Sequence, residues 1–246
     1  MRIMERLLRT TTPIRYPTYN RSESHSTGFF FRTNRELYLI TARHCLFESD
    51  RGGVRFRPEE IAIRLRDKKD HRESRTMRIP LYDESGDRNW IEPYHYDVDI
   101  AALPLEISLR ETGNTSFGTS RLSKAYEAKN VAVPGDSAIV AGYPVVNAGS
   151  YSPILRNALI SSALDVDYDK QPYFLIDSQL HEGTSGSPVL VRKTDRNDNI
   201  AFHVIGVHSG QHDVSVPGGE NLNRVWFLKH LRIRLNDFEP DLTDLF

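Results

Sequence analysis

Three residues of this chain have the types that nucleophilic chemistry on a carbonyl requires. Ser185 lies in "EGTSGSPV" (182–189), flanked by Gly183 and Gly186; His44 ends the apolar run "LYLITARHCL", and Asp99 opens one in "YDVDIAALPL". A serine hydroxyl attacks poorly until a base takes its proton, and an imidazole titrates in the range suited to that task. A carboxylate can fix the imidazole's tautomer and stabilise its charged form, which gives Asp99 a part. Gly183, with no side chain, leaves room for an anion beside Ser185. Taken singly, each has a plainer reading: a tight turn, a strand-end ring satisfied by a carbonyl, a cap. Their joint occurrence points to acyl transfer. Two rivals stand beside them, since Asp97 shares a strand face with Asp99 and Ser187 lies in the same loop.

The segments that would hold these residues read mostly as strands. Short β-branched or aromatic runs bounded by Gly, Asn, Asp and Pro recur as "GFFFRTNRELYLITA", "IAIRLR", "DIAALPL", "SAIVAGYP", "PYFLIDSQL", "SPVLVRK", "AFHVIGVHSG" and "RVWFL". Thr33-Asn34-Arg35 marks a hairpin, and "VRKTDRNDNIAFHV" joins two runs through a polar loop. Helical periodicity is scarce, with Trp226 to Leu235 the best short stretch. An all-β, barrel-type architecture follows. The polar stretch from about Glu106 to Asn130 reads as a connector between two halves.

The motifs "TARHCL", "DIAAL" and "GTSGSPV" resemble those of the trypsin-like (chymotrypsin-fold) serine proteases. The order His, Asp, Ser is the chymotrypsin order, unlike that of α/β-hydrolases or subtilisins. "GDSAIVAGYP" and "LIDSQLHEGTSGSP" are similar to segments of the bacterial HtrA/Deg and glutamyl endopeptidase branch, so the likeness spans about residues 25 to 228. It implies two antiparallel six-stranded β-barrels: an extension (1–23), a first barrel with His44 and Asp99 (24–105), the connector (106–130), a second barrel with Ser185 (131–228), and a C-terminal helix and tail (229–246). It favours Asp99 over Asp97, because the family's acid directly precedes the buried apolar pair. It also implies an oxyanion hole formed by the Gly183 and Ser185 N–H groups, and a serine endopeptidase working through an acyl-enzyme.

The resemblance is imperfect in ways that bear on specificity. Thr184 stands where activated trypsins carry the aspartate that pairs with a new amino terminus, and Gln179 stands where trypsin carries its basic-selective aspartate. Cleavage after Lys or Arg is therefore not expected. "VIGVHSG" places His208 where glutamyl endopeptidases carry a histidine that contacts a Glu or Gln before the scissile bond, although Leu180 replaces the helper hydroxyl. Ser209 and Gly210 would lie on the strand that pairs with substrate backbone. The expected substrate-binding set is thus Gln179, Leu180, His208, Ser209 and Gly210. A catalytically silent peptide-binding scaffold of the same fold is the alternative.

Composition narrows the partners. With 32 basic and 33 acidic residues the net charge is −1, which gives no general attraction to nucleic acid or an anionic membrane. The charged stretch 64–78 reads as a solvated hairpin, because acidic residues interleave and no aromatic platform is present. Cys45 is the single cysteine, so an intrachain disulfide is excluded and a reducing, cytoplasmic setting is expected. It reads as a small buried hydrophobe. "HEGTS" fails the H-E-x-x-H zinc pattern, and neither a metal nor another cofactor is expected. No export signal or apolar span is visible, and no segment large enough for a PDZ domain follows the barrels. The expected partners are a protein or peptide substrate and a separate regulatory or substrate protein.

Overall fold

In a computed structural model, the described residues are 3–17, 23–33, 36–50, 53–70, 72–94, 97–118, 128–144, 152–194, 200–212, 221–231 and 235. Fifteen strands run through them. The first half builds a sheet in the order β7–β6–β1–β2–β3–β8, from Ser74–Pro80, Glu60–Arg66, Thr11–Pro17, Glu23–Arg32, Leu37–Thr41 and Ala101–Pro104. β9 (Phe117–Gly118) adds parallel to β2, and the short β4 (Glu48–Asp50) and β5 (Gly53–Phe56) pair apart. The second half is a closed barrel, β10–β11–β12–β15–β14–β13, from Ser137–Gly142, Ile154–Ile160, Tyr173–Asp177, Leu222–Phe227, Ile200–Gln211 and Pro188–Thr194. This is the chymotrypsin fold, one barrel closed and the other open.

Each half has its own apolar interior. Ile14, Phe30, Leu39, Ile63 and Leu103 fill the first, and Val140, Ile160, Phe174, Ile176 and Val225 the second. A further cluster holds Phe29, Tyr38 and Ile40 together with Leu175, Val204 and Trp226. The alternation behind this is visible in β2, where Phe30 faces one cluster while Phe29 and Phe31 face another.

Several local expectations are modified. The stretch expected as an extension supplies α1 (Ile3–Leu7) and β1, which pairs with β2 along its length. Its prolines concealed it, yet Pro13 and Pro17 cost little here, because β1 meets β6 only at Ile14 and Arg15. The connector contains a 3₁₀ turn (Leu109–Glu111) and β9, with residues 119–127 outside the described set. Trp226 and Phe227 end a strand rather than begin a helix; the helical turn starts at Lys229, and Leu231 and Leu235 pack into the shared cluster. The tail 236–246 lies outside the described residues. The 64–78 stretch is indeed a hairpin, with Arg66 opposite Ser74. Among the described residues no helix is long and apolar enough to cross a membrane.

Candidate active site

His44 sits in a 3₁₀ turn, Arg43–Leu46, that follows β3 and is anchored by fully buried Cys45 and Leu46. Asp99 lies two residues before β8, the antiparallel neighbour of β3. Strand pairing therefore delivers both residues to one end of the sheet. Asp99 Oδ2 lies 2.6 Å from His44 Nδ1, and Oδ1 accepts the His44 backbone N–H at 2.8 Å. A third donor, the Ser209 hydroxyl on β14 of the second barrel, reaches Oδ2 at 2.5 Å. Asp97 makes none of these contacts and is exposed.

The charge states follow from this geometry. Burial alone would raise the Asp99 carboxyl, but the His44 ring, by hydrogen bond and charge, outweighs it with help from the Ser209 hydroxyl and the His44 N–H. Asp99 is held below the ordinary carboxylate range and is anionic at neutral pH. His44 is held well above the ordinary imidazole value, by the charge of the neighbouring Cys45 sulfur and by Asp99, against burial, which lowers it. The sulfur acts this way only as a thiolate, whereas Asp99 is charged throughout the neutral range, so Asp99 is the dependable partner. With Nδ1 committed to Asp99, proton exchange falls to Nε2. The His44 side chain keeps 42% of its surface exposed, against 16% for Asp99, so the ring remains reachable from the cleft.

Ser185 occupies a loop that Gly183 (φ +89°) and Gly186 (φ +85°) allow to turn, both in the left-handed region where side chains are strained. The loop is tied to the first barrel by Thr27. The Thr27 hydroxyl donates to the Gly183 carbonyl at 2.8 Å and accepts the Tyr143 N–H at 2.9 Å, and the Thr27 N–H donates to the Ser185 carbonyl at 2.8 Å. A Cβ on Gly186 would collide with the Thr27 carbonyl and the Thr41 hydroxyl and come within 3.0 Å of the Ala42 nitrogen. Gly186 follows Ser185 and Ala42 lies two residues before His44, so this close approach brings the two segments together across the seam. Among the described residues no hydrogen bond joins the Ser185 hydroxyl to His44, and the Gly183 and Ser185 N–H groups are engaged by no partner.

The remaining expected residues are placed as follows. Gln179 is exposed, whereas Leu180 packs in the core of the second barrel. Gly210 (φ +122°) lies at an irregularity in the β14–β15 pairing, where His208 faces Val225 and Gly210 faces Arg224. His208 is buried, with its ring nitrogens toward the Thr184 carbonyl and Asn223. Ser187 is fully buried, consistent with packing. Ser209, expected on the substrate strand, also supports Asp99 through its side chain. Sequence reading missed Thr27 and Asn223 altogether. A threonine beside Gly28 at a strand centre carries no local signal, since its partners are up to 156 residues away. Among the described residues no cluster of three or more His, Cys, Asp or Glu is arranged to hold a metal ion.

A family model of the trypsin-like peptidase domain matches residues 26–196. That is more than half of the chain, and the protein belongs to the trypsin-like peptidase family. Its structure is similar to that of the protease Anisep from Arthrobacter nicotinovorans, with a TM-score of 0.58, 13% identity, and 94% of this chain and 95% of that one covered. It also resembles the serine endoprotease from Yersinia pestis, with a TM-score of 0.56 and 12% identity. There 97% of this chain is covered but only 65% of the Yersinia chain, so the protein spans about two thirds of that relative. A thermostable serine protease, AL20, from an extremophilic microorganism aligns at 0.54 and 11% identity, covering 93% and 98%. No curated protein matches the sequence. At these identities the structural likeness speaks for the fold.

Proposed function

We propose that the protein is a serine endopeptidase in which Ser185 attacks the peptide carbonyl, His44 takes its proton and returns it to the leaving amine, and Asp99 holds the ring. The observation that carries this reading is the 2.6 Å contact of Asp99 with His44 Nδ1, reinforced from the other barrel by Ser209. It fixes the tautomer that leaves Nε2 for the hydroxyl, beside a loop drawn onto the same strand end by Gly186. The uncommitted N–H groups of Gly183 and Ser185 are the donors suited to a tetrahedral oxyanion, and one such donor is worth about 3 to 4 kcal/mol in the transition state. A hydroxyl-to-imidazole contact absent from the resting protein can tighten when substrate is bound.

The reading extends to specificity. His208 faces an acceptor at each nitrogen, and burial holds its pKa below the ordinary value, while the Thr184 and Asn223 contacts pull the other way. A neutral ring with its proton on Nδ1 has Nε2 as an acceptor, which a substrate side chain would reach by taking the place of Asn223 Oδ1, 3.2 Å away. That suits the amide N–H of a Gln before the scissile bond, whereas a Glu carboxylate requires the charged ring that burial opposes. The substrate in this reading is a protein or peptide with Gln before the cleaved bond, and the single cysteine, Cys45, fits a reducing compartment. Cleavage-site profiling of a peptide library with wild type and Ser185→Ala tests this. Wild type should cut after Gln, with Glu favoured only at lower pH, and Ser185→Ala should cut nothing. Cleavage confined to Lys or Arg sites would refute the specificity; equal cleavage by Ser185→Ala would refute the nucleophile.

A further inference from the structure

His208 is 2% exposed in β14, and neither ring nitrogen faces open space. Nδ1 lies 3.0 Å from the Thr184 carbonyl oxygen, and Nε2 lies 3.2 Å from Asn223 Oδ1. The Asn223 amide is locked in that orientation, because its Nδ2 donates to the carbonyls of Ser178 and Asn221, each at 2.7 Å. A neutral imidazole has one N–H for these two acceptors; we place it on Nδ1, the shorter contact, which leaves Nε2 facing Asn223 Oδ1 with no proton between them. The Thr184 carbonyl can only accept, so Nδ1 donates to it.

That carbonyl belongs to the same peptide unit as the Ser185 N–H. In a trans peptide the C=O and N–H point in opposite directions, and no cis bond is present among the described residues. The Thr184 oxygen also accepts the Ser187 N–H at 3.1 Å, so two donors fix the plane. With its oxygen pinned toward buried His208, the unit must turn the Ser185 N–H the other way. An amide whose oxygen accepts a hydrogen bond becomes a stronger donor at its nitrogen, the cooperativity that runs through hydrogen-bonded chains.

We propose that His208 is a positioning residue for the oxyanion hole: through the Thr184 carbonyl it orients and polarises the Ser185 N–H. The inference rests on reading Ser185 as the nucleophile. The role uses Nδ1 and is independent of which oxygen or amide Nε2 meets, so it acts on every substrate alike. It also gives a physical reason for a polar ring, rather than an aliphatic side chain, at a buried position of β14.

The test compares wild type, His208→Leu, His208→Asn and His208→Gln on three peptides that differ only in having Gln, Glu or Leu before the scissile bond. It also measures affinity for a peptide boronate, whose adduct mimics the tetrahedral intermediate, and for the uncleaved peptides on a Ser185→Ala background. Loss of an oxyanion donor costs about 100- to 1000-fold in kcat, so loss of its polarising partner should cost roughly 10- to 100-fold. In His208→Leu that loss should fall on kcat for all three peptides and weaken the boronate by the same factor, while the Kd of the Leu peptide, which makes no side-chain contact with Nε2, stays within about twofold. His208→Asn, whose Nδ2 reaches the place of Nδ1, should regain most of the rate. His208→Gln, whose amide reaches only the place of Nε2, should not, and this pair carries the test if His208→Leu fails to fold. A loss confined to Gln and Glu peptides, an equal loss in affinity for the boronate and for the uncleaved Leu peptide, or no advantage of Asn over Gln would overturn the proposal. If wild type cleaves none of the peptides and binds no boronate, the reading of Ser185 falls and this inference with it.

Discussion

Replacing Thr27 by Val removes one hydroxyl from the seam and keeps the side chain's shape. Thr27 is fully buried, and its hydroxyl satisfies two main-chain groups of the second barrel, the Gly183 carbonyl at 2.8 Å and the Tyr143 N–H at 2.9 Å. Neither can turn to solvent, because Gly183 and Tyr143 are themselves buried. A buried polar group deprived of its partner costs about 1 to 3 kcal/mol, with a carbonyl toward the lower end, so Thr27→Val should destabilise the protein by roughly 2 to 4 kcal/mol. The new methyl also stands too close to both atoms and must push the Gly183 segment aside. Urea unfolding should therefore show a lower midpoint at unchanged slope, with a parallel fall in kcat. Thr27→Ser, which keeps the hydroxyl and loses only a methyl, should lose about 1 kcal/mol and retain activity. A Val variant within about 0.5 kcal/mol of wild type, or no better tolerated Ser variant, would refute the idea that this hydroxyl joins the barrels.

Four further outcomes are expected. Because His44 is held above its ordinary value, the acid limb of kcat/KM should titrate above about 6.5, and Asp99→Asn should bring the limb down while cutting kcat by roughly 10⁴-fold. The same shift means that His44 contributes stability fully present below about 6.5 and lost as pH rises through its folded pKa, which a pH series of unfolding midpoints reads directly. Asp99 has the opposite sign: its contribution is present above about 3.9 and lost as pH falls through its depressed folded value. Ser209→Ala removes one of the groups that depress it, so acid unfolding followed by circular dichroism should begin at higher pH than in wild type. Gly186→Ala should be among the most damaging single changes, by about 3 kcal/mol or more, because its Cβ meets backbone at a positive φ; thermal unfolding measures it.

The strands carrying the site were legible because each is a compact β-branched or aromatic run, and the hairpins between them follow from polar turns. Trp226 and Phe227 were drawn toward a helix by the basic, leucine-containing stretch that follows; their pairing with β12 and β14 decides otherwise, and nothing local encodes that. Pairing of β1 was hidden by two prolines whose missing donors matter only when the neighbouring register is known. His44 and Asp99 were recognisable from motif and order, and strand pairing joins them. Ser209 supporting Asp99, Thr27 holding the Ser185 loop and Asn223 facing His208 were not recognisable. Each joins residues on different strands or loops through a side chain whose type is common in ordinary strands, so only tertiary contact reveals the pairing.

The most direct test is covalent labelling with a fluorophosphonate, read by intact mass and peptide mapping. Wild type should gain one adduct, on Ser185, at a rate that collapses in His44→Ala and falls steeply in Asp99→Asn, while Ser185→Ala gains none. A wild-type protein that stays unlabelled, or a His44→Ala variant that labels as fast as wild type, would contradict a serine activated by the His44–Asp99 pair.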